Sequence, residues 1–149
     1  MREVKILVFK LGNEFYATDI MGVERILGYE EPTMLPDSPD FLFGVINYET
    51  NVLPIISLAK KFRINEGNIK DRKIIVVKRD NSKFGIAVDS VSEVQSISEE
   101  DIKNPESLST LISKKYISGL VKRNNNIIIL INLDKILTVE DEEIIFRGE

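Results

Sequence analysis

A segment of this chain recurs 75 positions further along, and this internal repeat is the strongest constraint on the fold. When Gly44 is placed on Gly119, Ser57 falls on Asn132 without a gap. Ser57 and Asn132 are both helix-capping residue types, and each follows an apolar stretch and precedes a short amphipathic one. Each copy therefore predicts a strand, a polar turn, a second strand and a capped short helix.

The repeat extends upstream with smaller offsets. Phe15 matches Phe84 at an offset of 69, and the stretch that starts at Val23 matches the one that starts at Val91 at an offset of 68. A unit of about 60 residues buries too little surface to be stable alone. We therefore expect two copies of one β unit that pack together, with a groove between them where a partner could dock.

The apolar segments are rich in β-branched and aromatic residues, which favour strands. Many short strands at close spacing are typical of an all-β sandwich or barrel, and here only two or three short helices are expected. Ser57 should cap a helix over 58–62, and Asn132 a helix over 133–137. The tail from position 138 could form a short helix, a docked strand or a frayed end. The predicted strands are 5–10, 14–19, 23–29, 44–48, 51–56, 73–78, 84–89, 92–98, 119–122 and 127–131.

Composition excludes several function classes. The 149 residues include no cysteine and no histidine, which removes thiol catalysis, catalytic triads and thiolate zinc sites. Twenty basic residues against 24 acidic ones give a net charge of −4, whereas nucleic-acid binders usually carry a basic field. No stretch resembles a signal peptide or is long enough to span a membrane. We expect a cytoplasmic protein without a cofactor or a bound metal.

Pro54 lies inside an apolar run that otherwise reads as a strand, FGVINYETNVLPIISL. Proline donates no ladder hydrogen bond, so this strand should be an edge strand or be bulged there. The matching position in the second copy is Ile129, which has a backbone N–H and can form the ladder hydrogen bond. The first copy is therefore expected to keep a partly open edge, with the stretch NYET as an exposed hairpin tip.

Two pairs of carboxylates could in principle perform acid–base chemistry. They are Asp89 with Glu93, and Asp19 with Glu24, and both pairs lie near predicted turns. A carboxylate-based hydrolase that uses Asp89 and Glu93 is therefore an alternative function. The structural interpretation, that these acids cap turns or face solvent, needs no further partner and is favoured.

Two predicted strands, VERIL (23–27) and KIIVV (73–77), carry apolar residues on both faces. Alternate residues of a strand face opposite sides. Each stretch is therefore either buried on both faces or exposes one face for binding, and periodicity alone leaves both possibilities open.

Five segments, in this order, resemble those of the CheW family, the coupling proteins of bacterial chemotaxis. The resemblance covers nearly the whole chain. The segments are LVFKLGNEFYATDIMGVERILGY (7–29), LPDSPDFLFGVIN (35–47), NVLPIISLAKKF (51–62), FGIAVDSVSEV (84–94) and YISGLVKRNNNIIILINLDKIL (116–137).

The resemblance implies one CheW-like domain made of two five-stranded, SH3-like β-barrels. The first barrel would cover about 14–70, and the second would cover 71–137 plus the strand at 4–11, followed by an acidic tail at 138–149. It also implies a non-enzymatic scaffold that binds the regulatory domain of the chemotaxis histidine kinase and the helical tip of chemoreceptors. Such a protein would work in the cytoplasm, associated with membrane receptor arrays.

The resemblance also assigns partner-binding positions, each with a structural alternative such as a bend at a glycine or a place in the core. They are Val23, Arg25 and Ile26 on the first barrel, Gly44, Asn47 and Glu49 at the hairpin, and Ile74, Val91 and Val94 around the groove.

This chain departs from the family pattern at three of its positions. Phe43 stands where a basic residue is usual, and Glu49 stands where arginine is frequent. Ser57 stands where the family has an aspartate, and serine can still cap the helix. These departures make an adaptor of a specialised, non-chemotactic pathway the nearest alternative. A small β-barrel that binds nucleic acid is a further alternative, which the acidic charge disfavours.

Overall fold

The structure, a computed structural model, describes residues 2–65, 69–78, 82–104 and 116–146. All ten predicted strands are present, and every end lies within two residues of its predicted position. In chain order they are β1 (Glu3–Leu11), β2 (Glu14–Asp19), β3 (Val23–Gly28), β4 (Leu42–Tyr48), β5 (Asn51–Ser57), β6 (Lys73–Val77), β7 (Phe84–Val88), β8 (Ser90–Ser98), β9 (Ile117–Arg123) and β10 (Asn126–Ile131).

The strands form two five-stranded sheets with the same topology. One sheet has the order β3-β6-β7-β5-β4, which we call the first barrel, and the other has the order β8-β1-β2-β10-β9, which we call the second barrel. Each sheet contains one parallel pair, β5 with β7 and β2 with β10, and all other pairs are antiparallel. The predicted all-β class with two five-stranded units is confirmed.

The two copies of the sequence repeat exchange strands. The first barrel takes β3, β4 and β5 from the first copy but β6 and β7 from the second, and the second barrel has the reverse composition. The predicted division at position 70 is therefore wrong in two places: residues 14–19 belong to the second barrel, and residues 73–88 belong to the first. The repeat offset identified which segments are alike, but it does not determine which segments pair.

The matched glycines have equivalent surroundings. Beside Gly44, the loop residue Thr33 forms a bridge to Val45, and beside Gly119, Lys103 forms the corresponding bridge to Leu120. A β-carbon on Gly44 would lie 2.1 Å from the carbonyl oxygen of Thr33, and the φ angle of Gly44 is +142°. A loop therefore crosses closely over the same point of both barrels, as expected from a duplication.

A hydrophobic core joins the two barrels. Its buried members include Leu7 and Phe9 from the second barrel and Ile56 and Ile86 from the first. A smaller cluster fills each barrel, one around Ile6 and Val8 of β1, the other around strands β4 to β7. The two barrels therefore pack as one body rather than as two tethered lobes.

The predicted caps are present. Helix α1 (Leu58–Phe62) begins after Ser57, whose hydroxyl accepts the Lys60 N–H at 3.2 Å. Asn132 caps only a short 3-10 helix, Leu133–Lys135, where a longer helix was predicted.

The acidic tail forms a second helix, α2 (Val139–Phe146). Thr138 and Asp141 hold its start reciprocally: the Asp141 N–H donates to the Thr138 hydroxyl at 3.0 Å, and the Thr138 N–H donates to the Asp141 carboxylate at 2.9 Å. Ile145 and Phe146 of this helix pack against the shared core. None of the helices in the described ranges is long and apolar enough to cross a membrane.

Pro54 does not mark an edge strand, because β5 lies between β4 and β7. Its parallel pairing with β7 begins only at Ile55, whereas Pro54 itself is paired with Val45 of β4. The missing N–H therefore falls just outside the inner ladder. The open edge belongs to β4 instead, and Thr33 covers part of it.

Candidate functional site

A polar cluster links the two edge strands of the first barrel at the tip of the β4–β5 hairpin. Tyr48 ends β4 with its side chain buried, and its hydroxyl donates a hydrogen bond of 2.6 Å to Oε2 of Glu24 on β3. Lys83 lies 3.0 Å from Oε1 of the same carboxylate and 3.7 Å from the carboxylate of Glu49. The Arg25 guanidinium lies 5.7 Å from the centre of the Tyr48 ring.

These contacts shift the ionisation of the groups involved. The hydrogen bond from Tyr48, followed by the one from Lys83, lowers the pKa of Glu24. The same bond to Glu24 raises the pKa of Tyr48, and hydrogen bonding to Glu24 raises the pKa of Lys83. Glu24 is therefore a firmly ionised acceptor that joins β3 to β4, as closure of this sheet into a barrel requires.

The hairpin tip presents charge to solvent. Glu49 occupies the turn with a φ angle of +56°, and its side chain is 53% exposed. Asn47 and Arg25 are also exposed, whereas Tyr48 is buried, so only part of the predicted NYET tip is accessible. We call the exposed group Arg25, Ile26, Asn47 and Glu49 the hairpin surface.

Each barrel exposes apolar side chains at equivalent positions. Ile26 is 42% exposed and Val94, its match at the offset of 68, is 52% exposed. Val52 is 52% exposed and Ile127, its match at the offset of 75, is 57% exposed. Two strands that are related by the repeat, β3 and β8, are edge strands of their sheets. The duplication has therefore produced two similar surfaces on one molecule.

Val23 and Val91 come from different barrels, and both are half-buried against the core that the barrels share. Val94 lies further along β8, on the same edge strand as Val91. We call Val23, Val91 and Val94 the groove surface. Of the two strands whose exposure the sequence left open, VERIL is half-exposed at an edge, while KIIVV lies between β3 and β7 and is buried on both faces.

Two predicted contact residues do not reach the surface. Ile74 is fully buried in the core of the first barrel, because β6 is an inner strand. Gly44 is buried beneath the loop at Thr33, so its role is to allow that close approach. Both residues support the hairpin surface from inside, and neither can touch a partner in this conformation.

Sequence reasoning missed Lys83 and the role of Tyr48. Lys83 and Glu24 are separated by 59 positions in the chain, and no local pattern connects them. The role of Tyr48 could have been suspected from the sequence. A tyrosine that ends an apolar strand is expected to bury its ring, and a buried tyrosine hydroxyl usually needs a hydrogen-bond partner.

The acids that suggested a hydrolase have structural roles. Asp89 is buried, and its Oδ2 accepts the N–H of Gly12 at 2.6 Å, which joins two turns. Glu93 accepts from the Gln95 side chain at 2.9 Å, and Asp19 accepts the N–H of Met21 at 2.9 Å. Within the described ranges, no group of three or more acidic side chains could hold a metal ion.

Phe43, at a position where a basic residue was expected, attracts cations instead of supplying one. The Arg72 guanidinium lies 5.5 Å from the centre of its ring and 5.1 Å from that of Tyr29, and the Lys60 ammonium lies 5.9 Å from the Phe43 ring. Phe43 also packs against the core of the first barrel. This departure therefore has a local structural role beside the hairpin.

Comparison with known proteins gives one consistent result. The model of the CheW-like domain family matches residues 5–141. The chemotaxis protein CheW of Klebsiella aerogenes is 33% identical over 92% of this chain and 83% of its own length. The chemotaxis protein CheW of Treponema pallidum (strain Nichols) is 28% identical over 93% of this chain and 85% of its own length.

A solved structure agrees with these sequence matches. The crystal structure of the scaffolding protein TtCheW from Thermoanaerobacter tengcongensis superposes with a TM-score of 0.85 and 35% identity, covering 95% of this chain and 97% of that one. Sequence, fold and length therefore lead to the same assignment: this chain belongs to the family of CheW-like domains.

Proposed function

We propose that this protein is a chemotaxis scaffold that couples chemoreceptors to a histidine kinase through binding alone, in the cytoplasm beside the receptors. The observation that carries this proposal is the pair of equivalent exposed edges on one rigid double barrel. A body of this kind can hold two partners in a fixed relative position. Its output would be that position, and its only chemistry the free energy of association.

The hairpin surface is proposed to bind the regulatory domain of the kinase. It combines an exposed apolar side chain, Ile26, with the opposite charges of Arg25 and Glu49. An apolar centre with a polar rim is the usual anatomy of a protein interface. The rim charges would select the partner and set its orientation more than they would add affinity.

The groove surface is proposed to bind the helical tip of a receptor. Val23 and Val91 line the shared core, and Val94 extends the apolar strip outward. An amphipathic helix lays its apolar stripe into a groove of this kind. The two partners would therefore occupy different surfaces and could bind at the same time.

The test is to measure binding of the purified kinase regulatory domain and of a receptor cytoplasmic fragment separately, by calorimetry. Glu49→Arg should weaken kinase binding by about tenfold and leave receptor binding unchanged, since it reverses an exposed rim charge. Glu143→Arg, the same change on an exposed face of α2, is the matched control. Circular dichroism should show that both variants are folded.

The complementary variant is Val94→Glu, which should weaken only receptor binding. Ile144→Glu places the same charge on another exposed apolar side chain, 56% exposed on α2, and should change neither affinity. If neither partner binds the unmodified protein at micromolar concentration, the coupling role is wrong. If both affinities fall together in either variant, the assignment of two separate surfaces is wrong.

The charge at the hairpin favours a second candidate, an adaptor of a specialised, non-chemotactic pathway. Glu49 replaces the arginine that is frequent in the family, and Lys83 lies 3.7 Å from its carboxylate. A partner suited to Glu49 would present a cation there. A kinase domain from a non-chemotactic operon that binds more tightly than the chemotaxis kinase, and loses that advantage with Glu49→Arg, would favour this candidate.

We also propose that the protein has no catalytic activity of its own. The support is that Asp89, the more buried acid of the suggested hydrolase pair, holds a backbone N–H. Hydrolysis that is abolished by Asp89→Asn in a folded protein would refute this proposal.

A further inference from the structure

A cleft of about 780 Å³ lies between the two barrels, at helix α1. Its volume is within the range of about 300–1,000 Å³ that is typical of sites for small molecules. One wall comes from the first barrel and the other from the second, and none of the proposed partner-binding residues lines it. The lining includes Tyr16, Lys60, Phe62, Arg63, Tyr116 and Ile129.

A row of aromatic rings runs from the core to this cleft. The ring centres of Phe9 and Tyr16 are 6.1 Å apart, those of Tyr16 and Phe62 are 5.9 Å apart, and those of Phe62 and Tyr116 are 5.5 Å apart. Phe9 is fully buried, whereas Phe62 and Tyr116 are only half-buried. Aromatic rings associate favourably at centre distances of about 4.5–7 Å. Phe62 and Tyr116 therefore give the cleft an aromatic wall.

The cleft is basic, although the whole chain is acidic. Lys60 and Arg63 are exposed at its rim, and in the described part of the chain neither makes an ion pair. Lys61 is already engaged, since its ammonium contacts the Asp141 carboxylate. Among the described residues of the lining, Asp40 is the one acid. Two cations without a carboxylate partner against one acid favour an anionic ligand over a cationic one, although Lys60 also lies near the Phe43 ring.

The lining also contains a phenol group. Tyr16 is only 8% exposed, and it is one of the residues that line the cleft. Burial, followed by the nearby charge of Glu14, raises the pKa of Tyr16, so the group remains a neutral donor. A phenol hydroxyl can donate one hydrogen bond, so it could bond to an acceptor atom of a ligand in the cleft.

We propose that this cleft binds a small aromatic acid. The ring of the ligand packs against Phe62 and Tyr116 with Ile129 beneath it, and its acid group lies near Lys60 and Arg63, within reach of the Tyr16 hydroxyl. None of the residues of the hairpin surface or the groove surface lines the cleft, so the site is separate from the coupling surfaces. The proposal therefore does not depend on the coupling function.

The experiment uses two probes that share one ring system. Indole-3-acetate carries the acid, and indole-3-acetamide is its neutral match. Amide shifts in ¹H–¹⁵N NMR spectra of the full chain should move at Lys60, Arg63 and Ile129 on titration with indole-3-acetate. A ligand of this size should bind with a dissociation constant on the order of 1 mM or tighter. The amide should bind about tenfold more weakly, because it cannot form the charge-assisted contacts.

Two variants test the residues. Arg63→Glu should weaken indole-3-acetate binding by about tenfold, whereas Lys122→Glu, the corresponding charge change on the exposed part of β9, should not. Tyr16→Phe should weaken binding by about fivefold, because it removes the hydroxyl donor, and should leave the melting temperature nearly unchanged, because the ring stays.

The proposed site is supported only if the two probes and the variants all give the expected results. The proposal is overturned if indole-3-acetate at about 10 mM moves none of the cleft amides. It is equally overturned if the amide binds as tightly as the acid, if Arg63→Glu and Lys122→Glu behave alike, or if the shifts map to the hairpin or groove surfaces.

Discussion

Replacing Gly44 with alanine should destabilise the protein far more than the same change at Gly119, although the two glycines are equivalent in the repeat. A β-carbon at Gly44 would lie 2.1 Å from the Thr33 carbonyl oxygen, which belongs to backbone and cannot move aside cheaply. The φ angle of +142° is also unfavourable for alanine. That strain costs about 2 kcal/mol.

The clash adds a second cost. Thr33 and Val45 exchange two backbone hydrogen bonds, of 2.8 and 2.9 Å. Pushing the loop away from β4 breaks both, at about 1 kcal/mol each. Gly44→Ala should therefore lower the free energy of unfolding by about 4 kcal/mol, which corresponds to a fall in melting temperature of about 12 °C for a chain of this length.

Gly119 differs because its nearest obstacle is a side chain. An added β-carbon would lie 2.4 Å from Cγ2 of the half-buried Ile102, and the φ angle of this glycine is not in the positive range. Gly119→Ala should cost about 2 kcal/mol, and Ile102→Ala should relieve part of that cost in the double variant. Gly28→Ala, with nothing within 4 Å of the added carbon, is the control and should change stability by less than about 0.5 kcal/mol.

Urea unfolding followed by circular dichroism gives the free energy of unfolding of the wild type and of each variant, including Ile102→Ala alone. Equal losses at Gly44 and Gly119 would show that the backbone contact at Thr33 does not decide the cost. A loss below about 1 kcal/mol at Gly44 would show that the loop yields easily, and the argument for a closely held β4 edge would fail.

Three further predictions concern the helix at the end of the chain and the hairpin cluster. Asp141→Asn should lower the free energy of unfolding by about 2 kcal/mol in urea titrations, because the poorly exposed ammonium of Lys61 loses its charge partner. Burial tends to raise the pKa of Asp141, but hydrogen bonds from Lys61 and Thr138 outweigh this effect and lower the pKa. The difference in unfolding free energy between wild type and Asp141→Asn should therefore be constant above about pH 5. It should vanish as the pH falls through the lowered pKa of Asp141. Tyr48→Phe should raise the pKa of Glu24 towards its ordinary value in carboxyl NMR titrations, because it removes the largest cause of the lowering.

The strands and caps were predictable because their signals are local. β-Branched runs separated by turn residues located all ten strands, and Ser57 capped α1 as its position predicted. The acidic tail was left open because its helix depends on a distant lysine, Lys61, as well as on the local pair of Thr138 and Asp141. Local pattern thus determined the elements wherever one short stretch contains the whole cause.

The candidate site was less predictable because its causes are spread along the chain. The resemblance identified Arg25 and Glu49, but the cluster that holds them depends on Lys83, which lies beyond β6. The resemblance assigned Ile74 to a partner surface, but its strand β6 is an inner strand and Ile74 is buried. Exposure depends on which strands pair, and a match of sequence positions does not supply that information.

The exchange of strands between repeats bears on how a scaffold of this kind works. In the first barrel, β6 and β7 come from the second copy and lie between β3 and β5. In the second barrel, β1 and β2 come from the first copy and lie between β8 and β10. The five strands of the first barrel, β3 to β7, are consecutive and are inserted between β2 and β8 of the second barrel, so the chain crosses between the barrels twice. The hairpin surface and the groove surface are consequently fixed relative to one another by the path of the chain as well as by the shared core. For a protein whose proposed output is the relative position of two partners, this coupling is the property that a simple tandem of two barrels would lack.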